Sequence, residues 1–158
     1  MSSFVDYALS ALSLNVKDAN PHHGSEEPLR VVLIERGQGA TPGRELLNAA
    51  SLIAAIEAFG AGVVALTFID FAKISFTEQV SMVRNCDLLI GTHGAGLSHA
   101  VWLLPTAALI ELTVGDRHFE NLAKYAGTRY RGLPYDGTEQ GIDHVIRIMR
   151  DLFPSLPS

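Results

Sequence analysis

Gly91-Thr92-His93-Gly94-Ala95-Gly96 follows the apolar run Leu88 to Ile90 and leads at once into a second apolar segment, Leu97 to Leu104. The first run has the length of a buried strand and the second has helix-forming character. Strand, glycine turn and helix in that order aim backbone N–H groups and a helix N-terminus at an anion. Gly91, Gly94 and Gly96 carry no Cβ, so a phosphate could come close to the main chain from Thr92 to Gly96. A tight turn that uses glycine only for its backbone freedom is the plainer alternative. His93, inside the turn, could donate to a phosphate or sugar oxygen, or could fix the turn by bonding a neighbouring loop.

Arg36 comes just after another apolar run, Arg30 to Ile34. A guanidinium there can form a bidentate pair with phosphate oxygens, or a rim salt bridge with Glu35 or Asp70. Glu111 ends a further apolar run, where an unpaired carboxylate is costly. It could accept from a ribose or sugar hydroxyl, or close a structural salt bridge. Ser75 and Phe76 stand at a loop-to-helix junction and could contact a base, with Phe76 stacking. Ser75 is equally explained as a helix cap, because Ser75-Phe76-Thr77-Glu78 is a capping box. Arg44 reads as a packing or surface residue with a lesser claim on the site.

No metal site is expected. His93 and His99 stand six residues apart, which misses the i, i+4 spacing of a helical metal pair. His22 and His23 are adjacent in a polar stretch with no third ligand, and His99 reads as a structural group within a helix. Asp70 and Asp116 are exposed candidates for a general base, and neither is convincing.

These groups need a frame that brings them to one edge. The pattern predicts strands over Arg30–Ile34, Val63–Phe68, Leu88–Ile90 and Ala108–Leu112, with a short edge strand over Thr128–Arg131. Helices are predicted over Phe4–Leu12, Arg44–Phe59 (stopped by Gly60), Phe76–Asn85, Leu97–Leu104, Phe119–Tyr125 and Ile142–Phe153. Alternating strands and helices give an α/β fold: a Rossmann-like parallel sheet of about four to five strands with helices on both faces. Residues 1–28 read as a helix and linker, and residues 29–158 as the Rossmann-like domain. Ligands of such sheets bind beyond the carboxyl ends of the strands, which gathers Arg36, Asp70, the Thr92–Gly96 turn and the residues after Leu112 on one rim.

The chain has 158 residues, 47% of them hydrophobic and 18% charged, which suits one well-buried domain. A net charge of −5 argues against a nucleic-acid surface. The single cysteine, Cys86, excludes an intrachain disulfide and reads as a buried, inert thiol. No run of apolar residues is long enough to span a membrane, and the start lacks the basic region of a signal peptide. A complete chain of this kind is expected in the cytoplasm.

Gly37-Gln38-Gly39 after the first strand and Asp70 after the second invite an NAD-type dinucleotide-binding oxidoreductase domain. The G-x-G-x-x-G pattern, however, needs its third glycine at Pro42, and Gly43 is one place late. A different resemblance is broader. Arg36, Arg44-Glu45-Leu46-Leu47-Asn48, Ser75 to Val80, Asp87 to Ser98 and Leu109-Ile110-Glu111-Leu112 resemble, in order and spacing, the motifs of glycosyltransferase family 61. One departure is His99, where the family usually carries asparagine. The resemblance covers about Arg30 to Tyr130 and implies the C-terminal, donor-binding half of a two-domain GT-B enzyme.

It further implies inverting, metal-independent transfer from a UDP-sugar, with no cofactor, to a glycan or protein acceptor. The donor-binding set it points to is Arg36, Ser75, Phe76, Thr92, His93, Gly94, Ala95, Gly96 and Glu111. An acceptor domain would lie upstream. Without that domain, the same residues would make a non-catalytic nucleotide-sugar-binding module. A fragment of a eukaryotic family member would belong to the secretory pathway.

Overall fold

The computed structural model describes residues 2–14, 27–36, 45–59, 61–112, 118–154 and 156. Its elements in chain order are α1 (Ser2–Ala11), β1 (Leu29–Glu35), α2 (Ala49–Phe59), β2 (Val64–Asp70), a 3-10 turn (Phe71–Lys73) and α3 (Phe76–Asn85). There follow β3 (Leu88–Thr92), a 3-10 helix (Ala95–Trp102), β4 (Ala108–Leu112), α4 (His118–Ala126), β5 (Arg129–Leu133) and α5 (Glu139–Leu152). All five strands join one parallel sheet in the order β2-β1-β3-β4-β5. This is the expected Rossmann-like α/β architecture.

Alternation along the strands builds a core on each face. Val32, Ile34, Leu89 and Leu109 point to the side covered by α1, α3, the long 3-10 helix and α4. Val31, Leu33, Leu88, Ile90, Ile110 and Leu112 point to the side covered by α2 and α5. Val5 and Leu9 of α1 are buried in the first of these cores. Every residue of β3 and β4 is buried, which is why those strands read as unbroken apolar runs.

Two helices differ from expectation. The segment after the glycine turn is a 3-10 helix over Ala95–Trp102, not an α-helix over Leu97–Leu104. A 3-10 helix has three residues per turn, so side chains at i and i+3 eclipse. Leu97, Ala100 and Leu103 fall on that spacing and are all buried, forming one apolar ridge. The helix expected from Arg44 starts only at Ala49, because Asn48 sits at φ 51°, a left-handed conformation that an α-helix cannot run through. Residue 44 and Gly60 lie outside the described residues.

The capping box of α3 is formed as its sequence predicts. Glu78 N–H donates to the Ser75 hydroxyl at 3.3 Å, and Ser75 N–H donates to Glu78 Oε2 at 2.8 Å. Ser75→Ala should therefore lower stability by about 1 kcal/mol, measured by thermal melting. Hydrogen bonds from the Ser75 hydroxyl and N–H hold the Glu78 carboxyl below its usual range. A lowered carboxylate pKa contributes stability above the ordinary value and loses it as pH falls through the folded one. The gap between wild type and Ser75→Ala should narrow in acid.

One register places the site. Val31, Val32 and Leu33 of β1 pair with Leu88, Leu89 and Ile90 of β3. At the amino end of this pair, buried Asp87 takes Arg30 Nε and Nη2, both at 3.1 Å, and the Arg30 N–H at 2.8 Å. The same offset of 57 residues brings Arg36 to His93 at the carboxyl end. Asp87 thus pins at one end of the strands what Arg36 completes at the other. A slip of one residue would part Arg36 from the turn.

Candidate functional site

The strand order reverses between β1 and β3, which is where open parallel sheets of this order bind ligands. Arg36 leaves β1 and the His93-Gly94 turn leaves β3 at this point. Arg36 Nη1 donates to the His93 carbonyl at 2.5 Å. The guanidinium also lies across Gly94, where an added Cβ would come within 2.9 Å of Arg36 Cζ. The arginine and the glycine turn, placed on one rim by sequence, are in contact.

The glycines divide the work differently from expectation. Gly94 leaves room that the Arg36 guanidinium occupies, so a cation lies beside the backbone of the corner. A Cβ on Gly91 would meet Leu97 Cδ2 at 3.0 Å, and one on Gly96 would meet Ile34 at 3.3 Å. Those two glycines permit close packing of the turn on Ile34 and Leu97. Ala95 is exposed at the start of the 3-10 helix, and Thr92 is buried at the end of β3.

Arg36 does not form the salt bridge with Glu35 or Asp70 that was its alternative. Lys73 takes both carboxylates, at 3.5 Å from Glu35 and 3.6 Å from Asp70. Asp70 also caps the short 3-10 turn by accepting from Ala72 N–H at 2.9 Å.

Glu111 is not a rim residue. Its side chain is fully buried, so the expected direct contact with a ribose or sugar hydroxyl gives way to a pair of internal bonds. Oε1 lies 2.6 Å from His93 Nδ1, and Oε2 accepts from the Tyr130 hydroxyl at 2.6 Å. Burial and the bond to Glu111 push the Tyr130 phenol well above its usual range. The edge of the His93 ring meets Phe119 with centroids 5.0 Å apart. His93 therefore joins the turn to the sheet interior while staying partly open to solvent.

Ser75 is committed to its cap, and the exposed Phe76 packs on His99 and Trp102 with centroids 5.6 and 6.4 Å away. His99 is held between Phe71 and Phe76, and burial lowers its pKa. Cys86 is buried and its thiol is pushed up by desolvation, as an inert thiol should be. Arg44, Asp116, His22, His23 and the Gly37-Gln38-Gly39 stretch lie outside the described residues. Among the described residues, no three His, Cys, Asp or Glu side chains gather as a metal would need. No described helix is long and apolar enough to cross a membrane.

Two supporting residues, Asp87 and Tyr130, stand outside the donor-binding set named above. Asp87 was detectable as a charge fixed between Cys86 and a buried strand. Tyr130 carries no local signal, because its partner is on another strand. A cleft of ≈ 370 Å³ beside the start of α5, lined by Tyr135, Asp136, Thr138 and His144, was also not anticipated.

A parallel α/β sheet with Arg36 in contact with a glycine turn at its switch point defines a Rossmann-like domain. The family model for glycosyltransferase 61 matches residues 3–110, and the chain belongs to that family. It is 33% identical over 113 residues to the EGF domain-specific O-linked N-acetylglucosamine transferase of Drosophila melanogaster, covering 70% of this chain and 21% of that protein. The Xenopus laevis protein of the same name is 32% identical over 125 residues, covering 78% of this chain and 23% of its own length. The Bos taurus one is 32% identical over 119 residues, covering 74% and 21%. The chain spans about a fifth of the length of the curated relatives it matches. The quinone oxidoreductase from Coxiella burnetii shares 16% identity at a TM-score of 0.44, over 93% of this chain and 45% of its own, a likeness too slight to bear on function. The family shown is one of glycosyltransferases and not of NAD-type oxidoreductases.

Proposed function

We propose that this chain is the donor-holding part of an inverting, metal-independent glycosyltransferase of GT-B type that takes a UDP-sugar. In such a transfer an acceptor hydroxyl attacks the anomeric carbon and the nucleoside diphosphate leaves. Negative charge grows on the diphosphate and must be met by fixed cations and aligned N–H groups. The observation that carries this reading is the Arg36 guanidinium seated over Gly94 at the β1/β3 switch point. A guanidinium has five N–H donors, and among the described residues Arg36 bonds the His93 carbonyl from Nη1, which leaves donors for phosphate oxygens. The N–H groups about Gly94, Ala95 and Gly96 complete the cradle. Phe76, exposed beside His99, offers a face on which a base can stack. The glycan or protein acceptor and the general base are supplied from outside these residues.

Titration of the chain with UDP in a calorimeter tests the donor reading, with NAD as the control. UDP should bind and NAD should not; binding of NAD alone would contradict it. Because the chain spans only about a fifth of its relatives, a second reading is a module that holds the nucleotide sugar without turning it over. Hydrolysis or transfer of a UDP-sugar by this chain by itself would argue against that second reading.

Gly94→Ala probes the clamp directly. The new methyl meets only the flexible end of Arg36, so stability should change by less than about 1 kcal/mol. The guanidinium must move aside, and UDP affinity should fall severalfold. Unchanged affinity would show that the arginine's seat on the turn is irrelevant to binding.

A further inference from the structure

His93, Glu111 and Tyr130 form a chain of contacts that runs from the turn into the sheet, and nothing in the donor reading explains its inner members. A fully buried carboxylate is tolerated only when its oxygens are satisfied. Here the Tyr130 hydroxyl donates to Oε2 at 2.6 Å and His93 Nδ1 lies 2.6 Å from Oε1. A carboxylate accepts only, so the proton between His93 and Glu111 belongs on Nδ1. The hydrogen bond made by one ring nitrogen determines what the other can do. Among the described residues no partner is found for His93 Nε2, and the side chain keeps 13% of its surface open. Phe119 packs against the ring and helps set its plane.

We propose that Glu111 and Tyr130 are positioning residues that hold His93 as its Nδ1–H tautomer and turn Nε2 toward the bound nucleoside diphosphate. This rests on the donor reading above. The carboxylate is fixed from β5 by Tyr130 and reaches the turn from β4, so the ring is braced by two strands beside the β1/β3 crevice. The ring so held offers Nε2 to the diphosphate, with Glu111 bonded behind it at Nδ1 and Tyr130 bonded to Glu111 in turn. The groups that face this ring are Arg36 on its own carbonyl, Glu111 from β4, Tyr130 through Glu111 and the Phe119 ring from α4, with exposed His118 next to Phe119.

The test combines nitrogen-15 NMR of the His93 ring with UDP calorimetry on the full chain, for wild type, Glu111→Gln and Tyr130→Phe. In the free wild type the ring should be protonated at Nδ1. On saturation with UDP the Nε2 signal should move more than the Nδ1 signal. Glu111→Gln should lose the fixed tautomer and bind UDP about 3- to 10-fold more weakly. Tyr130→Phe, which keeps the ring and loses only the hydroxyl, should show the same change to a smaller degree. A free wild-type ring with its hydrogen on Nε2 overturns the proposal, as does a Glu111→Gln variant with the wild-type tautomer and wild-type affinity. If wild type binds no UDP, the donor reading fails with the ligand-facing role of Nε2, whereas the free-state tautomer still reports on Glu111 alone.

Discussion

Arg36→Ala should weaken UDP binding by about 10- to 100-fold, because hydrogen bonds to a charged group contribute roughly 1.5–3 kcal/mol and each 1.4 kcal/mol is tenfold. The substitution removes the guanidinium seated at the switch point and takes away the donor that Arg36 gives the His93 carbonyl. Glu35 and Asp70 then lie near the switch point, balanced among the described residues by Lys73. Arg36→Lys should recover part of the loss and no more. An ammonium keeps the charge but cannot lie flat across Gly94 or offer the planar fork. Calorimetry reads both values, and equal binding by wild type and Arg36→Ala would remove Arg36 from the site.

Asp87→Ala should produce the largest loss of stability, although Asp87 is nowhere near the crevice. Its carboxylate is 1% exposed and satisfies both the Arg30 side chain and the Arg30 N–H at the start of β1. The hydrogen bonds to Asp87 hold the Arg30 guanidinium above its usual range. Removing one partner of a buried pair costs about 3–5 kcal/mol, and the partial exposure of Arg30 brings the expectation to about 2–3. For a chain of this size that is a fall in melting temperature of roughly 5–10 °C. UDP affinity should fall as well, since this pair sets the register that carries Arg36 to Gly94. A melting temperature equal to wild type would show that the pair does not hold the two strands.

Local signals were legible wherever one segment contained its own reason. The capping box Ser75 to Glu78 and the unbroken apolar run Ala108–Leu112 are each complete in a few residues, and both form as their sequence dictates. Arg36 and the turn could be placed on one rim because parallel strands end on the same edge. Their contact could not be deduced, since it depends on the register of β1 against β3. Glu111 shows the same limit. A carboxylate ending an apolar strand signals a partner, but the choice between a ligand hydroxyl and His93 with Tyr130 is made by how β4 lies against its neighbours. The 3-10 helix reads as α in the sequence because the run as a whole is apolar, and only the burial of Leu97, Ala100 and Leu103 shows the period of three. Asn48 stops a helix-like pattern by its left-handed conformation, which composition does not reveal.

The decisive measurement is a titration of the nitrogen-15-labelled chain with UDP, followed amide by amide in two-dimensional NMR. The largest shifts should fall on His93, Gly94, Ala95 and Gly96 and on the side-chain Nε–H of Arg36. Shifts gathered instead along Tyr135 to His144, beside the cleft at the start of α5, would place the nucleotide elsewhere and contradict a diphosphate held between Arg36 and the turn.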